Sequence, residues 1–383
     1  MYSKNIFFLL TLFFCQLHSE FQPLTILFVV GYFPSPSQTF ILNQMTKLID
    51  QGHTVLIYSV NKGKLSGMHP DIEKYKLLDC VTYGISPKTL PSCDIVFCQF
   101  GYMGKKIIEM KGLARWLQGK KVVTCFRGAD ITSRVKKERT MYKTLFKKGD
   151  LFLPVCKYFI SKLIKFGCDP DKIIVHHSAI NCSQFFFRKL KKPANNAINI
   201  VSVCRLVEKK GLDDAIIACA KVAKKHPNIH YTIFGEGPER NYLEQLIRSL
   251  HMEKMITLAG WATQDEVVQA LDKAHIFVLA SKTSSDGCEE GIPNALKEAM
   301  AKGVITIGTP HAGNPELIQE GISGFLVPEN NSLELAKKIQ YVIEHPEKWE
   351  GICFNARKKI EEEFEIGKTV ERLEELFYQL LAE

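Results

Sequence analysis

The stretch INIVSVC, residues 198–204, decides the fold, because it restarts a pattern that already runs through the first half of the chain. It is an apolar run of strand length, and a helical pattern follows it. Comparable runs are TILFVV (25–30), TVLIYSV (54–60), DIVFCQF (94–100), KVVTCF (121–126), DLFLPVC (150–156), IHYTIFG (229–235), AHIFVLAS (274–281) and VITIGT (304–309). Such runs are typical of strands buried on both faces of a parallel sheet. The sequence predicts an α/β protein with two doubly wound, Rossmann-like parallel-sheet domains.

The polar and basic stretch KLKKPANNA (189–197) separates the two series of strands and has the composition of a linker. We therefore expect a leader at 1–20, an N-terminal domain at 21–188, a C-terminal domain at 198–361 and a terminal amphipathic helix at 362–383. The length of 383 residues fits about two domains. Two such lobes leave a cleft between the carboxyl ends of their strands, where these sheets bind ligands.

The leader contains IFFLLTLFFC (6–15), which is half the roughly 20 residues that cross a bilayer, so a polytopic membrane protein is excluded. With Lys4 it resembles a weak signal peptide with a poor cleavage site. A signal peptide, a short anchor and a misplaced start all remain open. The 12 Cys include no C-x-x-C pair and lie mostly in apolar runs, which favours buried thiols, a reducing compartment and no metal site.

The charge is divided unequally between the two halves of the chain. Residues 1–190 carry 27 Lys and Arg against 12 Asp and Glu, a net +15, whereas residues 191–383 carry 23 against 29, a net −6. The basic half indicates an anionic partner. In RVKKERTMYKTLFKK (134–148) the cations accompany apolar residues at helical spacing, which predicts either a helix on an anionic membrane or a solvated helix packed by its apolar stripe. A nucleic-acid partner is disfavoured, because no recognised nucleic-acid module is present.

The candidate site centres on SSDGCEEGIPNALKEAMAKGVITIGT (284–309). A loop after a strand leads to Ile292, Pro293 and Asn294, which open a helix. A helix N-terminus leaves N–H groups unpaired and favours a phosphate there. Glu290 lies just before this helix and Glu298 lies in its second turn. The plainer interpretations are that Glu290 complements the helix dipole and that Glu298 belongs to a solvated face.

A second element is VSVCRLVEKKGLDDAI (201–216), in which a strand leads to Arg205 and Lys210 before another helix. With a helix N-terminus these cations supply about +2.5, enough to neutralise a nucleotide diphosphate without a metal ion. A basic loop facing solvent is the alternative. Gly235 and Gly237 in FGEGP (234–238) allow close backbone approach to a ligand, or form a plain turn. Asp169-Pro170-Asp171 has the composition of a turn and cap rather than of a metal site.

Together these motifs resemble the donor half of glycosyltransferase family 4. The resemblance rests on Glu290-Gly-Ile-Pro-Asn, Glu298-Ala-Met-Ala, the RLVEKKG run, Gly235-Glu-Gly-Pro, Gly260-Trp261 and Gly313-Asn-Pro-Glu-Leu, and it spans about 199–328. The segment YFPSPSQTFILNQ (32–44) is similar to the FPxxSETFI segment of bacterial exopolysaccharide and colanic-acid-type members, with Gln38 where Glu is usual. FRGADIT (126–132) resembles the family's His-Gly-x-Asp loop.

The resemblance implies a GT-B fold and a retaining, metal-independent transfer of a hexose from a nucleotide sugar to a glycan or lipid-linked acceptor in surface polysaccharide synthesis. No cofactor is implied. By analogy Arg205 and Lys210 bind the diphosphate, Glu298 holds the ribose and Glu290 contacts the donor sugar. The remaining donor-binding positions are Gly235, Gly237, Gly291, Ile292, Pro293 and Asn294. We expect a cytoplasmic protein, peripheral at the inner face of the membrane, whose terminal helix returns to the first lobe.

Arg127 departs from the family pattern, because it occupies the position of the catalytic histidine. An arginine cannot act as a general base. It either makes a charged contact to sugar or phosphate, or the histidine's role is absent. This favours front-face attack, in which the acceptor proton passes to a donor phosphate oxygen. Two alternatives remain, a two-lobed sugar-binding protein without catalysis and a nucleotide-sugar epimerase of the same fold.

Overall fold

The structure, a computed structural model, describes residues 22–35, 38–65, 68–84, 90–110, 112–113 and 115–383, so the leader lies outside the described residues. Two six-stranded sheets form its framework, with strand orders β3-β2-β1-β4-β5-β6 and β12-β11-β10-β7-β8-β9. The strands are β1 (Thr25–Phe33), β2 (Thr54–Lys62), β3 (Val81–Tyr83), β4 (Ile95–Cys98), β5 (Lys121–Phe126), β6 (Leu151–Pro154), β7 (Ile198–Val203), β8 (Ile229–Phe234), β9 (Ile256–Gly260), β10 (Ile276–Val278), β11 (Ile305–Gly308) and β12 (Phe325–Leu326). Neighbouring strands pair in parallel, so the two doubly wound parallel sheets are confirmed.

Helices cover both faces of each sheet, as parallel sheets require. Those of the first half are α1 (Thr39–Asp50), α2 (Pro70–Lys74), α3 (Gly101–Glu109), α4 (Ser133–Lys137), α5 (Lys143–Lys148) and α6 (Tyr158–Lys165). Those of the second half are α7 (Leu212–Ala223), α8 (Arg240–Ser249), α9 (Gln264–Lys273), α10 (Asn294–Lys302), α11 (Asn314–Leu317), α12 (Ser332–Glu344), α13 (Trp349–Glu363) and α14 (Ile366–Ala382). Among the described residues, no helix is both long and apolar enough to cross a membrane.

Every apolar run that predicted a strand contains one, whereas β3, β9 and β12 carry no such run. All three lie at a sheet edge. An edge strand has a neighbour on one side only and is covered less completely by helices. In β9, for example, Thr257 and Ala259 are exposed. The continuous apolar signal is therefore confined to interior and well-covered strands.

Residues 134–148 do not form the single helix that their spacing predicts. The segment forms two short helices, α4 and α5, separated by a turn. Its apolar residues Val135, Tyr142 and Leu145 are at most 1% exposed and belong to the core, where the Tyr142 ring packs edge-on against Phe126 at 5.4 Å. The stripe is therefore used for packing, which was the alternative interpretation.

The terminal helix α14 begins later than expected, at Ile366, because Glu365 interrupts the helical run. The Glu365 carboxylate accepts hydrogen bonds from the N–H groups of Gly367 (2.6 Å) and Lys368 (3.2 Å), which is N-cap geometry. Residues 362–363 belong to α13 instead. The apolar face of α14 packs against the first sheet, with Phe377 contacting Phe97 at a ring distance of 5.4 Å.

The two lobes meet where both sheets place the carboxyl ends of their strands. The strand order reverses between β1 and β4 in the first sheet and between β10 and β7 in the second. Glu289, from the loop after β10, donates its N–H to Thr132 Oγ1 at 3.1 Å across this boundary. A Cβ on Gly128 would lie 2.8 Å from the carbonyl oxygen of Glu289, so only glycine permits this close approach. The topology thus places the candidate site at a switch point between the lobes.

Candidate active site

Glu290 and Lys210 form an ion pair between the loops that follow β10 and β7. Ser281 Oγ also donates to the Glu290 carboxylate, at 3.4 Å. Burial by itself would raise the pKa of Glu290, but the ammonium groups of Lys210 and Lys209 lower it to about 2. Glu290 is therefore an anion throughout the physiological pH range. Its partner, Lys210, is one of the two cations that the sequence analysis assigned to the diphosphate.

This pairing changes the expected charge at the diphosphate site. Arg205 is exposed directly after β7, and within the described part of the chain its side chain has no hydrogen bond or ion pair. Lys210, by contrast, is already neutralised by Glu290. With the N-terminus of α10, about +1.5 is available while the pair is intact, rather than the +2.5 that counted Lys210 as free. A diphosphate at the expected position would have to compete with Glu290 for Lys210.

Gly235 and Gly237 let the loop after β8 lie against the segment that carries Arg205. A Cβ on Gly235 would be 1.8 Å from the carbonyl oxygen of Cys204, and a Cβ on Gly237 would be 2.2 Å from that of Leu206. Both glycines are thus required by backbone packing within the second lobe. Their contact with a donor remains a prediction.

Glu298 lies in the second turn of α10 and lines a small cavity between the lobes. The cavity walls include Thr39 and Asn43 from the first lobe and Gln264 and Asn294 from the second. The Glu298 carboxylate has no hydrogen-bond partner among the described residues, and burial raises its pKa to about 7, against the opposing effect of the neighbouring Lys297 ammonium. The plainer interpretation, that Glu298 lies on a solvated helix face, does not fit this environment.

Residues Gly291 to Asn294 join these two glutamates. Ile292 and Pro293 are buried, and Pro293 is the N-cap, so α10 begins at Asn294. A Cβ on Gly291 would lie 2.5 Å from Val155 and 3.3 Å from the carbonyl oxygen of Arg127. The glutamate segment therefore contacts the loop of the first lobe that carries Arg127.

Arg127 is held entirely by neutral acceptors. Its Nε donates to the carbonyl oxygen of Gln99 (3.2 Å) and its Nη1 to Ser178 Oγ (2.7 Å), while Nη2 faces the Gln44 and Gln99 amide oxygens. The guanidinium lies over the Phe40 ring at 4.4 Å. Burial lowers its pKa, yet a guanidinium stays protonated in proteins. Arg127 thus supplies a fixed positive charge and cannot serve as a general base.

The loop that presents Arg127 depends on Asp130. The Asp130 carboxylate accepts hydrogen bonds from the N–H groups of Gly101 (3.0 Å), Arg127 (3.0 Å) and Gly128 (2.8 Å). Burial raises the pKa of Asp130, and these N–H groups oppose that rise. Asp130 is therefore a positioning residue for the loop.

Sequence reasoning missed His311, which orients Glu290. His311 Nε2 accepts the N–H of Glu290 at 3.1 Å, so its Nδ1 carries the proton that it donates to Glu329 at 2.8 Å. His311 follows β11, whose carboxyl end faces the cleft, and that position was the available signal.

Sequence reasoning also missed Lys297, which is fully buried. Its ammonium donates to the Ser178 carbonyl oxygen and to Asn294 Oδ1 (2.9 Å). Burial lowers the pKa of Lys297 to about 7, against the opposing effect of Glu298. The pattern ALKEAM resembles an ordinary helix with an exposed lysine, so nothing in it marks this position.

Asp169 has the cap role that its sequence indicates, because its carboxylate accepts the N–H of Asp171 at 3.1 Å. Within the described ranges, no group of three or more His, Cys, Asp or Glu side chains is placed to hold a metal ion.

The family model for glycosyl transferases group 1 matches residues 183–359, which include the segment with both glutamates. The chain also has the fold of solved GT-B glycosyltransferases. The HepE structure from Anabaena, solved in complex with UDP, covers 93% of this chain and 100% of its own with a TM-score of 0.76 at 18% identity.

The chain belongs to the group 1 glycosyltransferases. It is 34% identical over 385 residues to a protein of Salmonella typhimurium whose name assigns it to colanic acid biosynthesis as a glycosyltransferase, WcaL, covering 87% of this chain and 94% of the relative. It is 33% identical to the amylovoran biosynthesis glycosyltransferase AmsK of Erwinia amylovora, covering 92% and 99%. Membership confirms the predicted family and GT-B fold. It argues against both alternatives, a sugar-binding protein without catalysis and a nucleotide-sugar epimerase.

Proposed function

We propose that the chain transfers a hexose from a nucleotide sugar to a glycan or lipid-linked acceptor in exopolysaccharide biosynthesis. The observation that carries the proposal is the Glu290–Lys210 pair, with the unpartnered Arg205 beside it, at the switch point between the lobes. The names of WcaL and AmsK support the exopolysaccharide context. UDP in the HepE structure supports a uridine diphosphate sugar as the donor.

The donor is held by groups of the second lobe. Arg205 and Lys210 contact the diphosphate, where charge develops as the sugar leaves. Glu298 accepts hydrogen bonds from the ribose hydroxyls, which would give its unpartnered carboxylate the partners it lacks. Glu290, released from Lys210 by the competing diphosphate, contacts the donor sugar near its reacting carbon.

Transfer proceeds at the front face, with retention of the anomeric configuration. The bond between the sugar C1 and the diphosphate oxygen breaks, and the acceptor oxygen forms its bond to C1 on the same face. The acceptor proton passes to the departing phosphate oxygen. Arg127, which cannot accept that proton, contributes a positive charge on the acceptor side.

Metal independence is supported by Arg205, Lys210 and the N-terminus of α10, which can take over the charge neutralisation that a divalent ion would provide. EDTA treatment tests this proposal. Activity should survive chelation. Loss of activity that magnesium or manganese restores would contradict it.

We further propose a peripheral position at the inner face of the membrane, where a lipid-linked acceptor meets an intracellular nucleotide sugar. Since the apolar residues of 134–148 lie in the core, the attachment is electrostatic and uses exposed lysines of α5, Lys147 and Lys148. Each contributes on the order of 1 kcal/mol near an anionic surface. Sedimentation with anionic vesicles should show binding that salt abolishes, and no binding at low salt would contradict it.

A donor screen by thermal shift tests the central proposal. A nucleotide sugar at 100 times its dissociation constant should stabilise the protein by about 2.7 kcal/mol. The best donor is then used for transfer, and the anomeric configuration of the product is read by NMR. An inverted product would contradict retention, and no stabilisation by any nucleotide sugar would contradict the function itself.

A further inference from the structure

A second cavity, separate from the one beside Glu298, opens on the first lobe and has a volume of about 620 Å³. This is within the range of small-molecule sites. Helices α4 and α6 form its two sides. Its lining residues are Ile131, Thr132, Lys136, Arg139, Lys162, Lys165, Phe166 and Gly167.

Positive charge dominates this cavity. Four of its eight lining residues are cationic. Lys162 pairs with Glu289 at 2.8 Å. Lys136, Arg139 and Lys165 are exposed, and the described residues offer them no ion pair. Three uncompensated cations in one concave site attract an anion that carries two to three charges.

The second lobe approaches two of the lining lysines, Lys136 and Lys162, next to the proposed reaction centre. The Lys136 ammonium lies so close to Gly287 that a Cβ there would be 2.0 Å from its nitrogen. Glu289, which contacts Lys162, is followed directly by Glu290. A ligand in the cavity is therefore close to the point where the donor sugar would react.

We propose that this cavity binds a diphosphate group of the acceptor. The inference rests on the proposed transferase function, because it assigns the cavity to the acceptor of that reaction. Lysine ammonium groups are point charges suited to phosphate oxygens, and Arg139 can bind two of them at once. Three unpaired cations match the charge of a diphosphate ester better than that of a single carboxylate. Phe166, which is partly exposed, gives the adjoining part of the acceptor an apolar surface.

Inorganic pyrophosphate is the probe, and its binding to the full chain is measured by isothermal titration calorimetry at low salt. The test variant combines Lys136→Gln, Arg139→Gln and Lys165→Gln. The matched control combines Lys143→Gln, Lys147→Gln and Lys148→Gln, which removes the same charge from α5 in the same lobe. Since pyrophosphate could also occupy the donor site, Arg205→Ala is measured as a third variant.

The test variant should bind pyrophosphate at least about tenfold more weakly, because three charge-assisted contacts are lost. The control and Arg205→Ala should retain cavity binding. Equal weakening in test and control would overturn the site, since only the overall charge would then matter. Loss in Arg205→Ala alone would overturn it in favour of the donor site. Glucuronate binding as tightly as pyrophosphate would overturn the diphosphate assignment.

If the triple variant fails to fold, as judged by its thermal unfolding, the single variant Lys165→Gln on the exposed side of α6 replaces it, with an expected loss of two- to fivefold. UDP binding is measured in parallel on every variant. If pyrophosphate binds in the cavity but UDP does not bind to the protein, the proposed function is contradicted and the anion site stands. If UDP binds but pyrophosphate does not bind in the cavity, only the anion site is contradicted.

Discussion

Glu290 and Glu298 are the same kind of residue at opposite ends of one short segment, yet their surroundings shift the pKa of their carboxyl groups in opposite directions. At Glu290 the nearby Lys210 and Lys209 outweigh burial and lower the pKa to about 2. At Glu298 burial outweighs Lys297 and raises the pKa to about 7. The spacing of the two glutamates places both at one cleft, while residues from elsewhere in the chain set the pKa of each.

The largest expected effect follows from removing Lys210, the cation that lowers the pKa of Glu290. Lys210→Ala leaves Glu290 buried without its partner and removes a contact to the leaving diphosphate. We expect turnover on the best donor to fall at least a hundredfold, about 2.7 kcal/mol. Arg205→Ala should lose as much without disturbing Glu290.

Lys302→Ala is the control for Lys210→Ala. Lys302 is a buried lysine that pairs with Asp272 at 2.8 Å at the far end of α10. Its loss should lower stability but spare the turnover of the folded protein. Near wild-type turnover in both Lys210→Ala and Arg205→Ala would contradict the diphosphate assignment.

The two glutamates should also separate by what each substitution impairs. Glu298→Gln removes a ribose contact and should weaken binding of free UDP and of the nucleotide sugar alike, by about tenfold. Glu290→Gln should spare UDP binding and depress turnover. Calorimetry with UDP alone measures this difference. Equal losses of UDP affinity in the two variants would contradict separate roles for Glu290 and Glu298.

Much of the framework could be predicted from the sequence, because buried parallel strands need apolar side chains on both faces. Edge strands such as β9 escaped prediction because they lack that requirement. The role of the apolar stripe of 134–148 could not be decided from the sequence, for a different reason. Spacing shows that a face is apolar, but Val135 and Tyr142 could pack equally well in a core or on a lipid surface.

The members of the candidate site could be named from local motifs, but their partners could not. The pairing of Glu290 with Lys210 joins residues separated by 80 positions. Arg127 likewise receives its acceptors from Gln44, Gln99 and Ser178, which lie in separate segments. Such contacts depend on which distant segments each sheet brings side by side, as β7 and β10 are in the second sheet, and no single motif records them.

The pKa of Glu298 predicts a pH dependence that Glu290 should not share. If the ionised carboxylate accepts the ribose hydroxyls, binding favours its charged form. Affinity should then be full above about pH 7 and fall up to tenfold per unit below it. A UDP-sugar is the ligand of choice, because its diphosphate lacks the terminal phosphate group that titrates near pH 6. Glu298→Gln should abolish this dependence. If the affinity of the wild type does not change between pH 6 and pH 8, the predicted dependence is contradicted.

The smallest effect should come from Lys297, which lies beside Glu298 and partly offsets its burial. Lys297→Met removes a positive charge that lowers the pKa of Glu298, so that pKa should rise and the midpoint of the pH dependence should move upward. At pH 7 this corresponds to a two- to threefold loss of affinity for the UDP-sugar, by the linkage between ionisation and binding. Lys302→Met controls for the loss of a buried lysine from the same helix and should leave the midpoint unchanged. Above pH 8 the affinity of Lys297→Met should approach that of the wild type, because Glu298 is then ionised in both. A midpoint that stays fixed or moves downward would contradict a lowering of the Glu298 pKa by Lys297, and the contrast between the two glutamates would then rest on Lys210 and Lys209 beside Glu290 alone.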